Sequence, residues 1–166
     1  MPTSITRRAV LRAAGGLAAS GLASLLPPAT RAAVAQGNLA SLGPEESVDA
    51  TLKRLFDGRP IKDGSSVITI ELPLIAENGA LVPLTVEVAS PQTSQSHVKA
   101  IYVISDKNRR PLNAKFALTP ASGQAFVGTN LRLGESTDVR AIAEMSDGTL
   151  VGAKRQVKVT VGGCGG

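Results

Sequence analysis

The chain has 166 residues, 43% of them hydrophobic but only 2% aromatic, and 18 basic against 13 acidic side chains give a net charge of +5. That length suits a single domain. One cysteine and one histidine exclude an internal disulfide framework and supply too few His and Cys ligands for a structural zinc site.

The first 35 residues read as an export signal. Arg7 and Arg8 form a twin-arginine pair, an uncharged Ala- and Gly-rich run follows from Ala13 to Leu26, and Ala33-Val34-Ala35 is a small-x-small cleavage site. The apolar run falls short of the ~20 residues needed to span a bilayer, so no retained membrane anchor is expected. The expected destination is the periplasm, reached by the twin-arginine route. Removing the signal takes away four arginines and no acids, which leaves 14 basic and 13 acidic residues. The working domain is therefore nearly neutral, and nothing in it predicts nucleic-acid binding, which needs a clustered basic face.

Residues 36–161 form the expected globular domain. "PEESVDATLKRLFDG" predicts a short helix: Pro44 suits a first turn, Glu45 and Glu46 complement the positive end of the helix dipole, and Gly58 marks a stop. Val48, Leu52, Leu55 and Phe56 fall on one face and predict a packing stripe.

From Val67 onward the period changes to two. "VITIEL" alternates through Ile68, Ile70 and Leu72, and Asn78-Gly79 is a turn signal. "LVPLTVEV" alternates again, with Pro83 predicting an edge strand or a bulge because proline cannot donate to a ladder. "VKAIYVIS" is apolar on both faces and predicts a central strand. Weaker strands are expected at 115–118 and 125–133. "DVRAIAEM", the Asp147-Gly148 turn and "LVGAKRQVKVTV" complete the series. The fold class is mainly β: an immunoglobulin-like antiparallel sandwich of about seven strands with a short N-terminal helix and a flexible C-terminal arm.

That arm is residues 162–166, Gly162-Gly163-Cys164-Gly165-Gly166. The four glycines read as a hinge, since glycine has the widest backbone freedom. They flank the lone cysteine, which reads as a covalent attachment point, an intermolecular disulfide partner or a thiol that carries a reaction intermediate between partners. A free thiol is a few per cent thiolate at neutral pH and intrinsically nucleophilic. His97 is formally available as a base, but a thiol on a floppy arm lacks the fixed geometry of a Cys-His pair, so His97 reads as a strand-end residue and no catalytic residue is assigned. Lys107, Arg109 and Arg110 in "SDKNRRP" read as a solvated turn. No cofactor and no metal are predicted.

The twin-arginine signal, the early helix, the β-rich middle and the terminal "VTVGGCGG" resemble the SoxY family, sulfur-carrier subunits of the periplasmic Sox thiosulfate-oxidising system. The resemblance implies a non-enzymatic carrier whose covalent sulfur attachment site is Cys164. It implies a stable partner, a SoxZ-like β-sandwich subunit, and transient visits to SoxXA-, SoxB- and, in some organisms, SoxCD-like enzymes. Two rivals are a β-grasp carrier with a C-terminal thiocarboxylate, which the export signal opposes, and an exported structural sandwich that dimerises through a Cys164 disulfide.

Overall fold

The computed structural model describes residues 43–163. The export-signal expectation, including Arg7 and Arg8, and the residues Cys164, Gly165 and Gly166 lie outside the described residues.

The helix α1 (Val48–Phe56) begins later than Pro44. Ser47 caps it, with extended backbone and a side-chain oxygen that accepts from the Ala50 amide at 3.2 Å. Glu46 stays outside the helix, and its carboxylate is engaged by two side chains of the helix itself. Its Oε1 accepts from the Thr51 hydroxyl at 2.8 Å and from Arg54 Nη2 at 2.6 Å. Asp57 closes the C-terminus in the left-handed region (φ 50°), where its amide reaches the Lys53 carbonyl, and Gly58 continues the turn at φ 74°.

Among the described residues nine strands follow: β1 (Ile61–Asp63), β2 (Ile68–Glu71), β3 (Ile75–Asn78), β4 (Val82–Val88), β5 (Val98–Ser105), β6 (Leu112–Ala117), β7 (Ala125–Leu131), β8 (Thr137–Met145) and β9 (Leu150–Val161). One sheet has the order β1-β9-β8-β5-β6, with β3 also on β9, and the other is β2-β4-β7. The sequence pattern anticipates about seven strands. The additional pair is β1 and β3, both short and both parallel to β9. Every other pairing is antiparallel.

The inward side chains of both sheets make the main core: Ile68 and Ile70 of β2, Val82 to Val88 at alternate positions of β4, Ile101 and Val103 of β5, and Val139, Ala141 and Ala143 of β8. Burying each such Val, Leu or Ile is worth about 1.5–3 kcal/mol relative to leaving it exposed. Val98 joins this face although it is an odd number of residues from Ala100's neighbours, because the β5–β8 register shifts between Val98 and Ala100.

The two-faced apolarity of β5 has a direct cause. Its other face, Ala100, Tyr102 and Ile104, is covered by α1 through Phe56, with Val48, Leu52 and Leu55 partly buried beside it. The Phe56 and Tyr102 rings meet edge to face at 5.0 Å. The larger sheet is thus the middle of three layers.

Pro83 corrects one expectation. β4 is the central strand of its sheet, not an edge. β2 pairs only as far as Glu71 opposite Thr85, while Pro83 lies opposite Asn130 of β7. No β2 ladder position is lost to the proline because β2 has already ended.

Among the described residues no helix is long and apolar enough to cross a membrane.

Candidate functional site

The chain reaches Cys164 through Gly162, which is exposed, and Gly163, which is held. β9 ends at Val161, whose carbonyl accepts from the Gly79 amide at 2.7 Å. The Gly79 carbonyl accepts from the Leu133 amide at 2.7 Å, and the Leu133 carbonyl accepts from the Gly163 amide at 2.9 Å. Three distant backbone segments are therefore stitched in a closed circuit: the end of β9, the β3–β4 turn and the β7–β8 loop. Gly163 is buried within it.

No side chain fits there. A Cβ on Gly162 would fall on the Gly134 carbonyl oxygen, and one on Gly163 would lie 2.6 Å from the Ala80 amide nitrogen and 2.7 Å from its Cα. A Cβ on Gly79 would meet the Leu133 carbonyl oxygen and come within 2.8 Å of the Gly163 nitrogen. Real Cβ atoms do not make such approaches to backbone. Glycine at 162 and 163 was expected for freedom of movement; the packing supplies a different reason, close approach of main chain to main chain.

The turn signal at Asn78-Gly79 is realised with the same twist. Asn78 Oδ1 accepts from the Ala80 amide at 2.8 Å, an Asx-type turn. Gly79 is not among the glycines with positive φ. It is needed for the contact with Leu133 and Gly163, not for a left-handed turn, and the turn leads from the larger sheet into the smaller one.

The wall of the circuit rests on a residue that the sequence does not single out. Asn108 sits between Lys107 and Arg109 in the basic turn, yet is buried at 6% exposure. Its Nδ2 donates to the Arg132 carbonyl at 2.8 Å and to Asn113 Oδ1 at 3.0 Å, and its Oδ1 accepts from the Gly134 amide at 3.2 Å. Asn113 in turn donates to Ser105 Oγ at 2.7 Å and to the Pro111 carbonyl at 3.0 Å. Ser136 adds a second tie, accepting from the Val159 amide at 2.9 Å. Asparagine in a turn has an ordinary local reading as a turn former. Its partners 24 and 26 residues away are invisible to local pattern.

The remaining predicted residues make ordinary surface contacts. Lys107 pairs with Glu135 at 3.7 Å, Arg109 with Glu45 at 2.7 Å, and Arg110 is exposed, a solvated turn. His97 Nδ1 lies 3.1 Å from the Thr93 carbonyl at the entry to β5, a local structural contact. Next to the circuit in the chain, Leu81 and Val161 are exposed at 65% and 64%.

On the helix-bearing face, the Tyr102 hydroxyl donates to Glu144 at 3.0 Å, and Arg59 and Lys99 approach the same carboxylate at 3.3 and 3.7 Å. Burial opposes the charge on Glu144, but Tyr102, Lys99 and Arg59 outweigh it and hold the carboxyl below its ordinary value. Burial pushes the Tyr102 hydroxyl up, and Glu144 adds to that. This group ties the α1–β1 connection to β8. Among the described residues no group of three or more His, Cys, Asp or Glu side chains is placed to hold a metal.

The family model "Sulfur oxidation protein SoxY" matches residues 52–164. The chain belongs to the SoxY family. Among solved structures, it is similar to the sulfur carrier protein SoxY from Chlorobium limicola f thiosulfatophilum, with a TM-score of 0.58 and 30% identity over 69% of this chain and 97% of that one. It is also similar to a superoxide reductase (neelaredoxin) from Ignicoccus hospitalis, with a TM-score of 0.51 and 20% identity over 74% of this chain and 98% of that one. The second likeness is one of fold alone. No curated protein matches the sequence. Within the SoxY match, the backbone circuit around Gly163 stands immediately before the family segment's final residue, Cys164.

Proposed function

We propose that the chain is a sulfur carrier that holds thiosulfate-derived intermediates on Cys164 and presents them to partner Sox enzymes. The observation that carries this reading is the SoxY family match over residues 52–164, which includes the only cysteine in the chain. The likeness to a SoxY sulfur carrier supports it.

Loading joins the thiol to the outer sulfur of thiosulfate. The S–H bond breaks and an S–S bond forms, giving a cysteine S-thiosulfonate, one proton and two electrons. A SoxXA-like haem enzyme takes the electrons. Hydrolysis by a SoxB-like enzyme then splits the sulfur–sulfonate bond with one water, releasing sulfate and two protons and leaving a persulfide anion on the carrier. A SoxCD-like enzyme, where present, takes electrons from that remaining sulfur while water supplies oxygens and protons are released, giving a cysteine S-sulfonate, and a further hydrolysis with one water releases it as sulfate and frees the thiol. The carrier contributes the nucleophile and its presentation; the partners contribute the redox and hydrolytic chemistry. Its stable companion in this reading is a SoxZ-like subunit, and its compartment is the periplasm, reached through the Arg7-Arg8 signal.

Intact-protein mass spectrometry of the chain from cells fed thiosulfate, with and without reductant, is the test. Reductant-sensitive additions in multiples of ~32 Da, or of a thiosulfate-sized group, mapped to Cys164 are expected. Cys164→Ser keeps the fold and carries none. A bare thiol, or only a disulfide homodimer, rejects the carrier role in favour of a structural one. Lysine at Arg7 and Arg8 together is expected to trap the precursor in the cytoplasm, as read by fractionation.

A further inference from the structure

We infer that Gly162 and Gly163 are not the hinge of the carrier arm but its clasp, so that the pivot for Cys164 lies after Gly163. The functional half of this inference rests on the carrier reading; the structural half stands on its own.

The circuit described above closes through hydrogen bonds of 2.7, 2.7 and 2.9 Å among Val161, Gly79, Leu133 and Gly163. Steric closure agrees with it. Gly162 is pressed against Gly134, and Gly163 against Gly79 and Ala80, at separations that leave no space for one carbon atom. Ser136 ties the β7–β8 loop to β9 through the Val159 amide, and Asn108 ties the same loop to the β5–β6 turn through the Gly134 amide. A free hinge has none of these features: its amides face water, and its Cβ positions are open.

The consequence is reach. A hinge starting at Val161 would let the Cα of residue 164 range over ~10–11 Å, whereas one bond step from a fixed Gly163 allows about 3.8 Å, a volume roughly twentyfold smaller. The arm then leaves the domain from one fixed point, the buried Gly163, and a partner enzyme must bring its active site to that point. Gly79, Leu133 and Gly134 become positioning residues for the cargo, together with Gly162 and Gly163. They shape where the thiol is presented without touching the reaction.

Amide 15N relaxation on the full chain tests this. Order parameters of about 0.85 at residues 162 and 163, level with β9, are expected; values below about 0.6 overturn the clasp. Gly163→Ala is expected to lower the order at 162 and 163 while that at 157–160 stays as in the parent. Unchanged order at 162 and 163 in that variant also overturns it. A nitroxide attached to Cys164 gives a second readout that needs no partner. Its line broadening is expected to centre on Ala80, Leu81 and Gly134, and to spread when two glycines are inserted between Gly163 and Cys164. A diffuse footprint in the parent, or one that the insertion leaves as it was, counts against the clasp. These readouts do not depend on sulfur loading. A rigid clasp on a chain that never carries sulfur would reject the carrier role alone, and a loaded chain with a loose Gly163 would reject the clasp alone.

Discussion

Replacing Asn108 by alanine probes how much of the fold's stability hangs on a single buried amide. The substitution removes two donated bonds, to the Arg132 carbonyl and Asn113, and one accepted from the Gly134 amide. At 6% exposure the site admits little water to replace them. A net ~1 kcal/mol per bond, together with the desolvation cost of buried groups left short of a partner, gives about 2–4 kcal/mol. For a domain of this size that lowers Tm by about 10 °C. Urea unfolding followed by circular dichroism measures it, and an unchanged m-value would show that only stability moved. Asn108→Asp sharpens the test. A carboxylate there keeps the acceptor for Gly134 but faces the Arg132 carbonyl without a proton to donate. Burial therefore raises its folded pKa above the unfolded value. Its stability is retained below the unfolded pKa and lost as pH rises through the folded one, so the deficit against the parent should widen from pH 4 to pH 7. A loss below about 0.5 kcal/mol for the alanine variant, within the range of ordinary surface substitutions, would refute the view that Asn108 braces the loop.

Glu144→Gln is expected to be less stable than the parent at neutral pH. The depressed carboxyl of Glu144 stabilises the fold above its ordinary value of 4.5 and loses that effect as pH falls through its lower folded value. The gap between variant and parent should therefore close in acid, which denaturant unfolding at pH 7 and pH 3 measures. Phe56→Ala empties the junction between α1 and the Tyr102 face; with Phe56 at 2% exposure, a loss of about 3–5 kcal/mol is expected by calorimetry. The same variant should leave the sandwich core on the other face of β5 assembled, visible as retained amide protection in β2, β4 and β7.

Much of the fold was legible because its dominant signals are local. The period-two runs of β2, β4 and β8, the two-faced apolarity of β5 and the stripe Val48-Leu52-Leu55-Phe56 each follow from one repeat of the backbone. β1 and β3 carry no such signal. All three residues of β1 are exposed, and β3 buries only Ala76. They are strands because β9 offers them an edge, and that offer comes from residues more than 80 positions away. The candidate site divides in the same way. The lone cysteine and its glycines stand out in the sequence, but a glycine chosen for freedom and a glycine chosen for close contact are spelled alike. Only the approach of Gly79, Leu133 and Gly134 distinguishes them at positions 162 and 163. Pro83 misleads for a related reason: it marks where a neighbouring strand stops, and nothing in its own strand says which neighbour.

The parallel pairing of β1 and β3 with β9 also has a bearing on how the domain is made. The final strand is the partner of two early ones and of β8. Until it has been synthesised, β1 and β3 have nothing to pair with, and the larger sheet lacks the strand between β1 and β8. The loop entropy of joining such distant segments must be met before their contacts stabilise anything, which favours slow, late assembly. During translation the apolar strands of the middle of the chain stay without their full cover, a state open to aggregation and to chaperone capture. Assembly of the larger sheet accordingly waits for β9 rather than proceeding strand by strand.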